Sequence, residues 1–263
     1  MDVIQSRLKN IIDTLKIHRA VTIKEFAQHL HVSEMTIRRD VAILVKENMV
    51  KQVHGVIVYN DNRIDTPATN DEGSRYNLPN EEERRVKEKR SIAKMAASLI
   101  SPNDIIIIDT GSTTEFLGEY IPGDLPLKII CFAINILLSV HKKKDCSLIF
   151  GGGYFHENTM MFESAEGVEL IKKNRANKAF MSARGVSDTL GITTADNYEI
   201  ATKRAILNSS QEKILLVDSS KFNVVRSAYY AELKDFDVIV TDDKIPEEYV
   251  RIIRDMGITL HIT

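Results

Sequence analysis

The loop Asp109-Thr110-Gly111-Ser112-Thr113-Thr114 carries residue types that can hold an anion. Gly111 permits a tight turn, and successive backbone amides with the hydroxyls of Ser112, Thr113 and Thr114 can surround a phosphate at a helix N-terminus. Standing alone, the loop would serve equally well as a Ser/Thr-rich helix cap. No Gly-Lys-Ser/Thr follows, so it is not a nucleotide P-loop. Two further stretches have related chemistry. Gly151-Gly152-Gly153 would let a ligand approach bare backbone, but His156 stands where a dinucleotide fingerprint needs its third glycine. Asp218-Ser219-Ser220-Lys221 brings a carboxylate, two hydroxyls and a cation. Lys203, four residues after Glu199, reads from spacing as a surface helix pair.

A scaffold must bring these stretches together. Ile105 to Ile108 is four consecutive isoleucines, the pattern of a strand buried on both faces. Further strands are expected at 128–132, 147–150, 178–182, 213–217, 238–241 and 258–262. Helical patterns lie between several of them, at 135–141, 165–174, 197–208 and 246–256, and one is expected to start near Thr114. Strands alternating with helices predict a mostly parallel sheet covered on both faces, with ligands bound beyond the carboxyl ends of its strands. A charged helix at 81–100, burying Ile92, Met95, Ala96 and Leu99, leads into this body. Before it, 60–80 is polar, contains two prolines and reads as a linker.

The first fifty-nine residues form a second constellation. Thr22 and Glu25 make a capping-box pattern ahead of a short helix that buries Ile23, Phe26, Ala27 and Leu30. Ser33 caps a helix starting at Glu34, whose Ile37, Val41 and Leu44 form an apolar stripe. The opposite stripe carries Met35, Arg39, Ala42 and Lys46, flanked by Thr36 and Arg38. An earlier helix at 3–16 would place Ile4, Leu8, Ile11, Ile12 and Leu15 against both. Two short helices joined by such a turn match a helix-turn-helix whose second helix enters the DNA major groove. Arg39 is the expected base contact, and Arg38 and Lys46 the expected phosphate contacts. The segment 49–59 reads as two wing strands, from which Lys51 and His54 could reach phosphate.

Charge agrees with that division. The chain of 263 residues has net charge −2, yet residues 1–56 hold nine Lys and Arg against six Asp and Glu, leaving the remainder at −5. A basic head on an acidic body fits nucleic acid at one end only. Cys131 and Cys146 lack metal-type spacing and suggest reduced thiols. His29 and His31 have no third ligand nearby, so no metal or cofactor is expected. The start is no signal peptide and the apolar run 129–140 is too short to span a bilayer, so a cytoplasmic protein with no membrane partner is expected.

Ser33, then Thr36-Ile37-Arg38-Arg39-Asp40, then His54-Gly55, resemble the N-terminal winged helix of the DeoR family of bacterial repressors. Val56 departs from that family's second wing glycine. The resemblance continues through 89–100, the Asp109 to Thr114 loop, Asn135, the glycine triple, Gly185, Glu199 with Lys203, and Asp218 to Lys221. It implies a winged helix-turn-helix at 1–59, a linker at 60–80, and at 81–263 a sensor of phosphorylated sugars similar to ribose-5-phosphate isomerase and CoA-transferase folds. By this resemblance Asp109, Gly111, Ser112, Thr113 and Thr114 hold phosphate or sugar hydroxyls, and Lys203 and Lys221 supply cations. The segments CFAIN and GGYFHEN are similar to family members that regulate deoxyribonucleoside catabolism, making deoxyribose 5-phosphate the leading effector. The implied partners are double-stranded operator DNA, a phosphorylated sugar and further copies of the chain as a homo-oligomer. The alternative is a sugar-phosphate isomerase-like enzyme fused to a DNA-binding head. An isomerase of that type would need an Asp-Gly-Ala-Asp-Glu-like acid cluster, and the sequence has none.

Overall fold

The computed structural model describes residues 3–18, 20–46, 50–53, 56–59, 78 and 84–263. The chain divides into two compact units, Met1–Gly73 and Ser74–Thr263.

The first unit runs α1 (Val3–His18), β1 (Ala20–Thr22), α2 (Ile23–His29), α3 (Glu34–Lys46), β2 (Val50–Val53) and β3 (Val56–Tyr59). Ile11 and Leu15 of α1, Phe26 of α2 and Ile37, Val41 and Leu44 of α3 close one core, with Val50 and Ile57 sealing its strand side. Leu8 and Ile12 pack only partly into it, and the Ile4 side chain lies outside the described residues. The expected capping box is present: the Glu25 amide donates to Thr22 Oγ1 at 3.2 Å and the Thr22 amide to Glu25 Oε2 at 2.8 Å. The Ser33 hydroxyl accepts from the Thr36 amide at 3.2 Å and fixes the start of α3. The turn between the helices is closed by paired bonds, from the Val32 amide to Ala27 and from the His31 amide to Gln28. His31 takes the left-handed φ of 52° that this ending requires. Asp40, buried, receives Arg7 Nη2 at 3.0 Å and a closer contact from Arg7 Nε, tying α3 to α1.

One element was not expected. β1 adds to the outer edge of β3, giving an antiparallel sheet β1-β3-β2. A three-residue strand is too short to show alternation, and only its partner reveals it.

The second unit contains α4 (Val86–Ser98), β4 (Ile105–Ile108), α5 (Ser112–Tyr120), β5 (Leu127–Cys131), α6 (Ile134–Val140) and β6 (Cys146–Phe150). Next come a hairpin of β7 (Tyr154–His156) and β8 (Met161–Glu163), then α7 (Ala165–Lys173), β9 (Ala176–Ser182), β10 (Gly185–Ser187) and β11 (Gly191–Thr194). It ends with α8 (Tyr198–Ser209), β12 (Ser210–Leu216), β13 (Ala228–Ala231), β14 (Val238–Thr241), α9 (Glu247–Asp255) and β15 (Thr259–Ile262). A sheet of order β15-β14-β12-β9-β4-β5-β6, parallel at every pairing, forms the centre. Its apolar runs serve two cores at once: Ile107 faces one, and Ile106 and Ile108 face the other. That division is why four isoleucines in a row are tolerated.

Boundaries differ from expectation where polar residues extend a strand past its apolar run. β9 starts at Ala176 and β12 at Ser210, while α4 spans Val86–Ser98, with Met95 and Leu99 only partly buried. The hairpin β7-β8 and the antiparallel sheet β10-β11-β13 were not anticipated, because strands of three or four residues leave no periodic signal. Both cysteines are free thiols, and burial pushes the Cys131 thiol up to about 12.

Candidate functional site

Loops beyond the carboxyl ends of β4, β9 and β12 converge on one cavity in the second unit. From the first come Thr110, Gly111, Ser112 and Thr113; from the second Ala183 and Arg184; from the third Val217 and Lys221. Thr159 at the hairpin tip, with Thr194 and Glu199, completes the wall. α5 begins at Ser112, two residues before the expected start, so Ser112 and Thr113 belong to its first turn. The amides of that turn have no carbonyl partner within the helix and carry the positive end of its dipole. With Arg184 and Lys221, the wall can receive a compact dianion.

Adjoining the wall, and sharing Ser182 and Glu199 with it, lies a buried polar cluster. Lys203 Nζ contacts Asp109 Oδ2 at 2.6 Å and Glu199 Oε2 at 3.6 Å, with all three side chains nearly inaccessible. Ser182 donates to the same Asp109 oxygen from its amide and its hydroxyl, each at 3.0 Å. Tyr230 closes the cluster by donating to the Ser182 carbonyl at 2.7 Å. One cation faces two carboxyl groups, and Asp109 holds the shorter contact. Burial, which outweighs the nearby Lys203 charge, raises the Glu199 pKa above its ordinary value. Glu199 Oε1 accepts the Thr194 hydroxyl at 2.6 Å. Burial likewise raises Tyr230 well above its usual range. Asp109 Oδ1 and Asp218 Oδ2 are buried acceptors without a hydrogen-bond partner among the described residues.

The structure sorts the expected residues into different roles. Gly111, Ser112, Thr113 and Lys221 line the cavity. Thr114 does not, because its hydroxyl donates to the carbonyls of Asp109 and Gly111 at 2.7 and 3.0 Å and so caps its own loop. Asp109 and Lys203 stand behind the wall. The Glu199–Lys203 pair is therefore buried, correcting the surface pair read from spacing, and Lys203 is committed to two carboxyl groups. Asn135 donates to Glu115 Oε2 at 2.9 Å, bridging α6 to α5, and is absent from the wall. The glycine triple is absent from it too. A Cβ at Gly153 would lie 2.1 Å from the Glu163 carbonyl oxygen, and the Gly152 carbonyl accepts from the Ser164 hydroxyl at 2.7 Å. Gly153 lets the chain pass close against β8, whereas a Cβ at Gly152 would meet open space. Arg184, Thr159, Thr194 and Glu199 were missed as wall residues. Arg184 had a usable signal, since it lies just past the carboxyl end of β9, as the Asp109 loop does past β4.

In the first unit, α3 turns Met35, Arg38 and Arg39 outward while Thr36 is half-buried. Met35 is 62% exposed although apolar. Arg38 Nη2 lies 3.7 Å from Glu34 Oε2, an exposed pair one turn apart that contributes little. Thr36 shares a 2.9 Å hydrogen bond with the Ser33 hydroxyl. The side chains of Lys46 and Lys51, and all of His54, lie outside the described residues.

Comparison with known proteins reaches both units. Residues 7–63 match the DeoR-like helix-turn-helix domain, and residues 84–243 match the DeoR C terminal sensor domain. The deoxyribose operon repressor of Escherichia coli K12 is 32% identical over 256 residues, 97% of each chain. The HTH-type transcriptional regulator GolR of Listeria innocua is 29% identical over 97% of each chain. A crystal structure of ribose 5 phosphate isomerase A from Neisseria gonorrhoeae aligns over 52% of this chain and 53% of that chain, with 18% identity and a TM-score of 0.37, a likeness too slight to bear on function.

Proposed function

The chain belongs to the DeoR family of transcriptional regulators, and on that premise we propose that it represses a sugar or deoxyribonucleoside catabolic operon and releases its operator when a phosphorylated sugar fills the cavity. In this reading α3 enters the major groove. Arg39 pairs with a guanine edge, while Met35 and Thr36 contact neighbouring bases or backbone. Ser33, Arg38, Lys46, Lys51 and His54 hold phosphates and set the register. The protein acts as a homo-oligomer on paired half-sites, in the cytoplasm, without catalysing a reaction of its own.

The observation that carries the effector half is the wall itself: the first turn of α5, with two hydroxyls, faces the same cavity as Arg184 and Lys221. Phosphate is placed against Gly111, Ser112 and Thr113 with both cations beside it. Sugar hydroxyls reach Thr159, Thr194 and Glu199. Deoxyribose 5-phosphate is the leading occupant, supported by the 32% identity to the Escherichia coli deoxyribose operon repressor over nearly the whole chain.

Thermal unfolding against pentose, deoxypentose and hexose phosphates, each beside its free sugar, tests the effector. A ligand of the native state raises the melting temperature with the logarithm of its concentration, by about 2.7 kcal/mol of stability at a hundredfold excess over Kd. Deoxyribose 5-phosphate is expected to stabilise the protein and deoxyribose is not. Stabilisation by the free sugar alone would place the recognition elsewhere than in the phosphate cradle.

A further inference from the structure

The first residues of the second unit, next in sequence to the helix-turn-helix unit, are pinned to the body of their own unit at two points beside the cavity wall. At the first, the Leu78 amide donates to the Asn158 carbonyl at 2.7 Å, and the Leu78 side chain is fully buried. Asn158 directly precedes the wall residue Thr159, whose own carbonyl accepts the Thr110 hydroxyl at 2.8 Å. The Asn158 side chain is held as well, by Asp196 and Tyr198 at 3.0 Å each. At the second point, Arg85 Nη1 donates to Ser219 Oγ at 2.9 Å and Arg85 Nε lies 3.8 Å from Asp218 Oδ1. Ser219 opens the short turn Ser219–Lys221 that delivers Lys221 to the wall.

Arg85 itself, and the hairpin tip two residues past Asn158, hold backbone in a costly state. Arg85 has φ 50° and Met160, at the hairpin tip, φ 57°. Residues with a Cβ enter this left-handed region only when their surroundings compel it, and such strain gathers where a structure switches. Arg85 makes no side-chain cap for α4, which begins at the next residue. Its guanidinium is spent on the turn.

We propose that these two contacts are the route by which occupancy of the cavity reaches the segment leading to the DNA-binding unit. The proposal rests on the effector reading above. A ligand phosphate drawn between the first turn of α5 and Lys221 sets the position of the Ser219–Lys221 turn, and a sugar against Thr159 sets that of the hairpin tip. Each carries one anchor with it. The ligand therefore favours the state in which both anchors are made. Coupling is reciprocal, so loss of an anchor weakens the ligand although neither Leu78 nor Arg85 lines the cavity.

Hydrogen exchange on the full chain tests this, with saturating deoxyribose 5-phosphate or inorganic phosphate as probe and with wild type, Arg85→Ala and Ser219→Ala. In wild type deoxyribose 5-phosphate is expected to slow exchange about fivefold or more both in the 109–116 loop and in peptides containing Leu78 and Arg85, and inorganic phosphate to do so in the loop and the Arg85 peptide. In either variant the loop should still slow while the Arg85 peptide does not. Slowing of the wild-type loop alone, or the same slowing at Arg85 in both variants, overturns the proposal and leaves the effector reading standing. No slowing of the loop with either probe overturns the effector reading, and the proposal falls with it.

Discussion

Lys203→Met is expected to destabilise the second unit by about 3–5 kcal/mol, because it strands buried carboxyl groups without their cation. For a unit of this size that is a fall of roughly 10 °C in its melting temperature. Asp109→Asn in the same background should recover part of the loss, since the stranded charge is then gone. The expectation follows from contacts of 2.6 Å to Asp109 and 3.6 Å to Glu199 at side chains almost closed to water. The same cluster sets a pH dependence. Burial raises the folded-state pKa of Glu199 above its unfolded value of about 4.5, so the folded state binds the proton more tightly. The stability this contributes is complete below the unfolded pKa and is lost as pH rises through the folded one. Glu199→Gln, which keeps an oxygen for the Thr194 hydroxyl, should flatten the decline in melting temperature above pH 4.5. An unchanged decline would mean that Glu199 is not its source, and a Lys203→Met protein as stable as wild type would remove the cluster from the account of the fold.

Gly111→Ala is expected to abolish the response to a sugar phosphate while leaving the protein folded. A Cβ there would lie 2.7 Å from both Cβ and Oγ of Ser182. Ser182 cannot step aside. Its amide and hydroxyl are bound to Asp109, its hydroxyl also reaches the Thr110 carbonyl, and its own carbonyl is taken by Tyr230. The loop must move instead, and with it the amides of Ser112 and Thr113. Losing even one charge-assisted bond to phosphate costs about 2 kcal/mol, roughly 30-fold in affinity. Titration calorimetry with deoxyribose 5-phosphate reads this directly. Restoring space opposite with Gly111→Ala/Ser182→Gly should recover part of the affinity. Wild-type binding by Gly111→Ala would show that the loop is a helix cap and no cradle.

The central sheet could be read from sequence because strands buried on both faces are written as unbroken apolar runs, as at Ile105–Ile108. The head could be read because caps and stripes are local: Thr22 with Glu25, and Ser33 ahead of Ile37 and Val41. What escaped depends on contacts distant in sequence. β1 exists only through β3, and the hairpin at 154–163 only through the turn at 157–160 that folds it back. Lys203 shows the limit best. Its spacing from Glu199 suggested a surface pair, and the pair is real but buried, since α8 is covered on the face that carries it. The glycine triple misled for a related reason. Bare backbone serves close packing as readily as ligand approach, and at Gly153 the near neighbour is the carbonyl of Glu163.

On the proposed function, operator DNA and a sugar phosphate bind one molecule in opposition. The most direct measurement is fluorescence anisotropy of the duplex that the full chain selects from a random DNA pool, titrated with deoxyribose 5-phosphate at constant salt. The sugar phosphate is expected to weaken DNA binding about 5- to 150-fold, the usual span of such coupling, and deoxyribose to do nothing. DNA affinity unchanged at a sugar-phosphate concentration that saturates the cavity would contradict it, because a ligand with equal affinity for both states shifts neither.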